Sequence, residues 1–102
     1  MSVVVVATLI PKAGQEDAVR AALLAAVPEV HAEPGCELYA LHESDGRFVF
    51  VERWESPEAL AVHSRGEALA KLGGALRGLT EGGSDVRRLT PLPAGDPDKG
   101  AV

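Results

Sequence analysis

The chain has 102 residues and a formal net charge of −5, with one cysteine and three histidines. That is material for one domain and one hydrophobic core, and a fold this small buries only about 60–65% of its unfolded surface, so it gains from a partner surface. The ten basic residues are scattered, which argues against nucleic acid or an anionic membrane as partner; the one concentrated pair, Arg87-Arg88, reads as a solvated strand edge. A lone Cys36 excludes an internal disulfide framework and fits a reducing compartment. No signal-peptide pattern opens the sequence, and no stretch approaches the ~20 apolar residues of a membrane span, so a cytoplasmic protein is expected.

Residues 3–10, Val-Val-Val-Val-Ala-Thr-Leu-Ile, form a β-branched run stopped by Pro11 and Gly14. This first strand does not alternate. Val3, Val5, Ala7 and Leu9 make one apolar face, and Val4, Val6, Thr8 and Ile10 make another. From residue 15 to about 32, Val19, Ala22, Leu23, Ala26, Val27 and Val30 recur at helical spacing, with Glu16 and Asp17 at the positive end of the helix dipole. Pro28 lies inside this pattern, so a bend is expected near residues 24–27 with helical geometry resuming.

Pro34-Gly35 marks a turn. Residues 36–44 then read as a second strand, Ser44-Asp45-Gly46 as a hairpin, and residues 47–54 as a third strand with Phe48, Phe50, Glu52 and Trp54 on one face. Ser56-Pro57-Glu58 starts a helix by mechanism: a hydroxyl cap, a proline where its missing N–H costs nothing, and a carboxylate near the dipole. The helical region extends to about residue 79, with a break at Gly66 and a stripe of Leu69, Leu72, Leu76 and Leu79. Residues 85–91 read as a short last strand, and residues 93–102, rich in Pro and Gly, as a mobile tail outside a domain of residues 1–92.

The resulting order is an α+β, ferredoxin-like β-α-β-β-α-β unit with both helices on one face of an antiparallel sheet. A monomer would leave the second apolar face of strand one in water, forgoing about 1.5–3 kcal/mol for each of four or five side chains. A homodimer packed sheet to sheet is the simplest remedy.

His31, Cys36, His42 and His63 are too far apart for a tetrahedral metal site. Gly73-Gly74 and Gly82-Gly83 do not open a helix after a strand, as a dinucleotide loop requires, and neither Ser44 nor Ser64 sits in a nucleophile elbow. What remains is Trp54 at the end of strand three, Glu52 two residues back on the same face, and His63 two turns into the following helix, a base of suitable pKa for a ligand hydroxyl. The plain alternatives are a core tryptophan, a solvated histidine and a surface Glu52–Arg53 ion pair.

The segment Glu33-Pro34-Gly35-Cys36-Glu37-Leu38-Tyr39, followed by Arg47-Phe48-Val49-Phe50-Val51-Glu52-Arg53-Trp54-Glu55-Ser56-Pro57-Glu58-Ala59-Leu60 and His63, resembles the antibiotic biosynthesis monooxygenase family. The resemblance spans residues 4 to about 92. It implies a dimeric α+β barrel of ferredoxin-like protomers, each with a pocket between sheet and helices. It further implies a cofactor-independent oxidation of a small quinol or phenol by O₂, in which the substrate is its own reductant. On that reading His63 assists deprotonation, Trp54, Phe50 and Tyr39 line the pocket, and Glu52 orients a polar group or holds the ring of His63.

Two departures are visible. Where relatives commonly continue with a Ser/Thr-Pro-His-Phe type segment, this chain has Gly66-Glu67-Ala68-Leu69, and strand one lacks the asparagine typical of the haem-degrading branch. The competing functions are a non-catalytic dimeric binder of a small apolar metabolite and an isomerase using the same base without oxygen.

Overall fold

A computed structural model describes residues 2–102 and places seven elements in chain order: β1 (Val3–Leu9), α1 (Glu16–His31), β2 (Cys36–Ser44), β3 (Arg47–Trp54), α2 (Pro57–Ser64), α3 (Glu67–Leu76) and β4 (Asp85–Leu89). The strands form one antiparallel sheet in the order β2-β3-β1-β4. This is the ferredoxin-like α+β arrangement, with its second helical segment in two pieces. Gly66 takes an extended conformation (φ −83°, ψ 170°) between α2 and α3, where the sequence predicts the break.

The strand boundaries follow the turn chemistry. Asp45 and Gly46 both take positive φ (49° and 72°), giving the two-residue hairpin whose twist suits the flanking strands. Helix α1 runs through Pro28 without interruption. Proline there leaves the Leu24 carbonyl without an N–H partner, but Leu24 and Pro28 both face solvent, where water satisfies that group. The last strand ends at Leu89, two residues earlier than its sequence pattern suggests.

All three helices pack on the face that carries Val3, Val5, Ala7 and Leu9. Register sets these residues opposite Trp54, Glu52, Phe50 and Phe48 on β3. Against this floor α1 buries Val19, Leu23, Ala26 and Val30, α2 contributes Leu60 and α3 contributes Leu72. Each large side chain so buried contributes about 1.5–3 kcal/mol, which makes this layer the main source of stability.

The opposite face has no helix over it. Val6, Val49 and Val51 are half-buried there, Ile10 is 39% exposed and Leu89 45%. Val4, on the same face, is shielded within the protomer itself at 6%.

Candidate functional site

A cavity of about 250 Å³ lies between the inner face of the sheet and helices α2 and α3. Its floor is Val5, Ala7 and Leu9 of β1 with Phe50 and Glu52 of β3, and its helical wall carries Leu60, His63, Leu69 and Leu72. Of the residues expected from sequence to form the site, His63, Glu52, Phe50 and Tyr39 border this space.

His63 reaches it because α2 starts where its sequence says. The Ser56 hydroxyl accepts the Ala59 N–H at 3.1 Å, Pro57 occupies the first turn, and Leu60 and His63, three apart, turn the same face inward. His63 is only 4% exposed. Its Nδ1 stands 2.6 Å from Glu33 Oε1, so the carboxylate accepts the Nδ1 proton, fixes the ring and leaves the Nε2 lone pair as the available base.

Glu33 was not singled out by sequence spacing, because Glu33-Pro34-Gly35 reads first as a turn. The turn is the device that brings it in. Gly35 has φ +83°, its carbonyl accepts the Glu55 N–H at 2.8 Å, and a Cβ there would stand 2.5 Å from Ala59 Cβ. Only glycine lets this loop lie against the start of α2, and Glu33, two residues earlier, then meets His63.

Glu52 corrects the sequence expectation in part. It is 4% exposed and not a surface partner of Arg53, which pairs instead with Glu37 at 3.1 Å. Nor does it hold the imidazole, since its Oε1 lies 3.9 Å from His63 Nε2, beyond hydrogen-bond reach. That oxygen accepts the Trp54 indole N–H at 2.9 Å. Burial pushes the Glu52 carboxyl above the usual carboxylate range, with the indole N–H and His63 pulling the other way and Glu33 adding to the rise.

Trp54 also differs from expectation. It is fully buried and does not border the cavity, because it ends β3 opposite Val3 and Cys36, beyond the floor residues. Its ring lies 4.3 Å from that of His63, tilted by 30°. Trp54 therefore supports the two polar residues from behind, anchoring Glu52 by a hydrogen bond and offering a π-face that favours His63 when it is protonated.

Tyr39 faces inward because β2 is irregular. The register slips between Cys36 and Leu38, so Cys36 pairs with Trp54 and Tyr39 with Glu52, on the same side of the sheet despite odd spacing. Tyr39 stacks on Phe50 with ring centroids 4.3 Å apart and meets the edge of His63 at 5.7 Å. Burial, reinforced by the Glu52 and Glu33 carboxylates, raises its phenol well above the ordinary range and keeps it a neutral hydrogen-bond donor. The same causes raise the thiol of Cys36.

Among the described residues no group of three His, Cys, Asp or Glu side chains is arranged to hold a metal ion. No helix among them is long and apolar enough to cross a membrane. The chemistry on offer is one oriented base, one buried carboxyl group and one neutral phenol in a largely apolar enclosure that also includes Ser64 and Ser84.

Solved structures with this fold are numerous. Residues 2–72 match the family described as antibiotic biosynthesis monooxygenase. Rv0793 from Mycobacterium tuberculosis is similar in structure with a TM-score of 0.85 and 31% identity, over 94% of this chain and 100% of that one. PA3566 from Pseudomonas aeruginosa aligns with a TM-score of 0.82 and 26% identity, covering 89% and 94% of the two chains. A crystal structure described as an antibiotic biosynthesis monooxygenase follows at 0.81 and 26%, covering 89% and 99%. No curated protein matches in sequence.

Proposed function

Since the chain belongs to the antibiotic biosynthesis monooxygenase family, we propose that it oxidises a small phenol or quinol with O₂, without a cofactor, using His63 as the base. The observation that carries this reading is the orientation of His63: Nδ1 is tied to Glu33 at 2.6 Å, which leaves Nε2 as the base beside a largely apolar cavity.

The steps balance without an added reductant. His63 Nε2 takes the phenolic proton, and the apolar surroundings make the resulting phenolate a stronger electron donor than it is in water. The phenolate gives one electron to O₂, and the phenoxyl radical and superoxide combine at a ring carbon to form a C–O bond. Protonation of the distal oxygen by His63, loss of the ring hydrogen as a proton and cleavage of the O–O bond then release a quinone and water. The ring hydrogen and the proton first held by His63 both end in that water. Tyr39 and the Glu52 carboxyl group supply hydrogen bonds to substrate oxygens, and Trp54 stabilises the imidazolium that exists between the two proton transfers.

The protomer pairs with a second copy through the helix-free face of its sheet. Support comes from the apolar residues on that face, half-buried Val6, Val49 and Val51 with exposed Ile10 and Leu89, which form a surface suited to a sheet-on-sheet interface. The lone thiol of Cys36, free in this chain, supports a reducing, cytoplasmic setting.

Oxygen uptake with 1-naphthol tests the proposal. Enzyme-dependent consumption of one O₂ per 1,4-naphthoquinone formed is the expected result, and binding without uptake would favour the non-catalytic alternative instead.

A further inference from the structure

Helix α3 turns Leu69, Leu72, Gly73 and Leu76 toward the cavity, positions that share one helical face. Three are leucines and the fourth has no side chain. Glycine is a poor helix former and buries no side chain, so its presence in the apolar stripe, in the last turn of α3, asks for a reason. Backbone geometry does not provide one, because Gly73 is absent from the positive-φ glycines. Close packing does not either, since a Cβ there would meet no atom within 4 Å.

The reason lies in the shape of the cavity. Its closed end holds His63 and Glu52, each 4% exposed, while its open end is bordered by Gly73, Ser84 and Val86, the last 59% exposed. Glu52 pairs with Val5 on β1, and Ala7 of β1 pairs with Val86 on β4, so the floor crosses two strand spacings, about 10 Å, from the polar end to the mouth. A single phenol ring does not span that distance. A leucine at position 73, continuing the stripe, would project into the outer part of it.

We propose that Gly73 is the specificity-determining position of this site, left without a side chain so that a fused-ring phenol held at His63 extends beneath α3 toward Val86. This rests on the phenol-oxidising reading given above for the same cavity. Gly74, the next residue, provides the internal control: it lies in the same last turn of α3 and is equally uncrowded but does not border the cavity.

The experiment is calorimetric titration of the full chain and its Gly73→Ala, Gly73→Leu and Gly74→Ala variants with phenol, 1-naphthol and 9-phenanthrol, with Tm measured for each protein. Gly73→Leu should weaken 1-naphthol and 9-phenanthrol by about tenfold or more while phenol stays within about threefold. Gly73→Ala should show a smaller loss in the same order, and Gly74→Ala none. Neither alanine variant should lower Tm, so lost affinity cannot be put down to a damaged helix. Unchanged affinities at position 73, an equal loss at position 74, or an equal loss for phenol would each overturn the inference. If the wild-type chain takes none of the three phenols, this inference and the oxidation reading fall together. Size selection governed by Gly73 without turnover of 1-naphthol sinks only the oxidation reading.

Discussion

His63 Nδ1 and Glu33 Oε1 stand 2.6 Å apart although 30 residues separate them in the chain. This contact joins the turn after α1 to the second turn of α2, and it fixes the orientation of a helix histidine's ring beside the cavity.

Replacing His63 with alanine removes the base, and general-base catalysis is worth about 10²–10⁴-fold. Oxidation of 1-naphthol should fall at least about tenfold even if water substitutes in part. Turnover equal to wild type in an oxygen-electrode assay would remove His63 from the mechanism.

Glu33→Gln separates positioning from charge. The amide oxygen still accepts the Nδ1 proton, so the ring stays in place and KM for 1-naphthol should change little. The imidazolium loses its carboxylate partner, so kcat should fall by roughly tenfold, about 1.4 kcal/mol. Identical kcat in the variant would assign Glu33 a structural role only.

Glu52→Gln should stabilise the protein at neutral pH while lowering activity. The folded-state pKa of Glu52 is raised above that of the unfolded chain, mainly by burial, so the native state binds that proton more tightly. Its contribution is therefore most favourable below the ordinary carboxylate range and diminishes as pH rises through the folded value. Glutamine keeps an oxygen for the Trp54 indole N–H and carries no charge. The gain at pH 7 should be about 1 kcal/mol, or roughly 4–8 °C in Tm, and should vanish near pH 4. A Tm difference independent of pH would contradict the buried-carboxyl account.

Gly35→Ala tests how the site is assembled. The positive φ and the approach to Ala59 together predict a loss of about 2–4 kcal/mol, read as a lower midpoint in urea. An unperturbed midpoint would mean that the turn accommodates a side chain and does not hold Glu33 in place.

The self-pairing of the sheet is checked by light scattering. The wild-type chain should run as a dimer at micromolar concentration, and Val51→Asp, in the middle of the helix-free face, should run as a monomer. A wild-type monomer with no concentration dependence would remove the interface.

The sequence makes the fold readable where local chemistry and periodicity agree. Ser56 and Pro57 announce α2, Asp45-Gly46 announces the hairpin, and the two apolar faces of β1 announce a strand covered on one side by helices. Glu52 and Phe50 are legible from strand alternation, His63 from its place two turns into α2, and Tyr39 from the family resemblance alone. Other features depend on tertiary geometry that periodicity does not encode. The slip between Cys36 and Leu38 decides that Tyr39 points inward, and a one-residue irregularity leaves no compositional mark. Glu33 is placed by the φ of Gly35 and by its fit against Ala59, a contact between segments that only the folded chain brings together. Trp54 lies on the predicted face but at the end of its strand, so sharing a face did not amount to bordering the cavity.

The most direct measurement is mass spectrometry of the product formed from 1-naphthol under ¹⁸O₂. The account predicts 1,4-naphthoquinone carrying one ¹⁸O atom, with the other in water, at a rate that collapses in the His63→Ala variant. Unlabelled product accompanied by hydrogen peroxide, or no product from the wild-type chain, would contradict it.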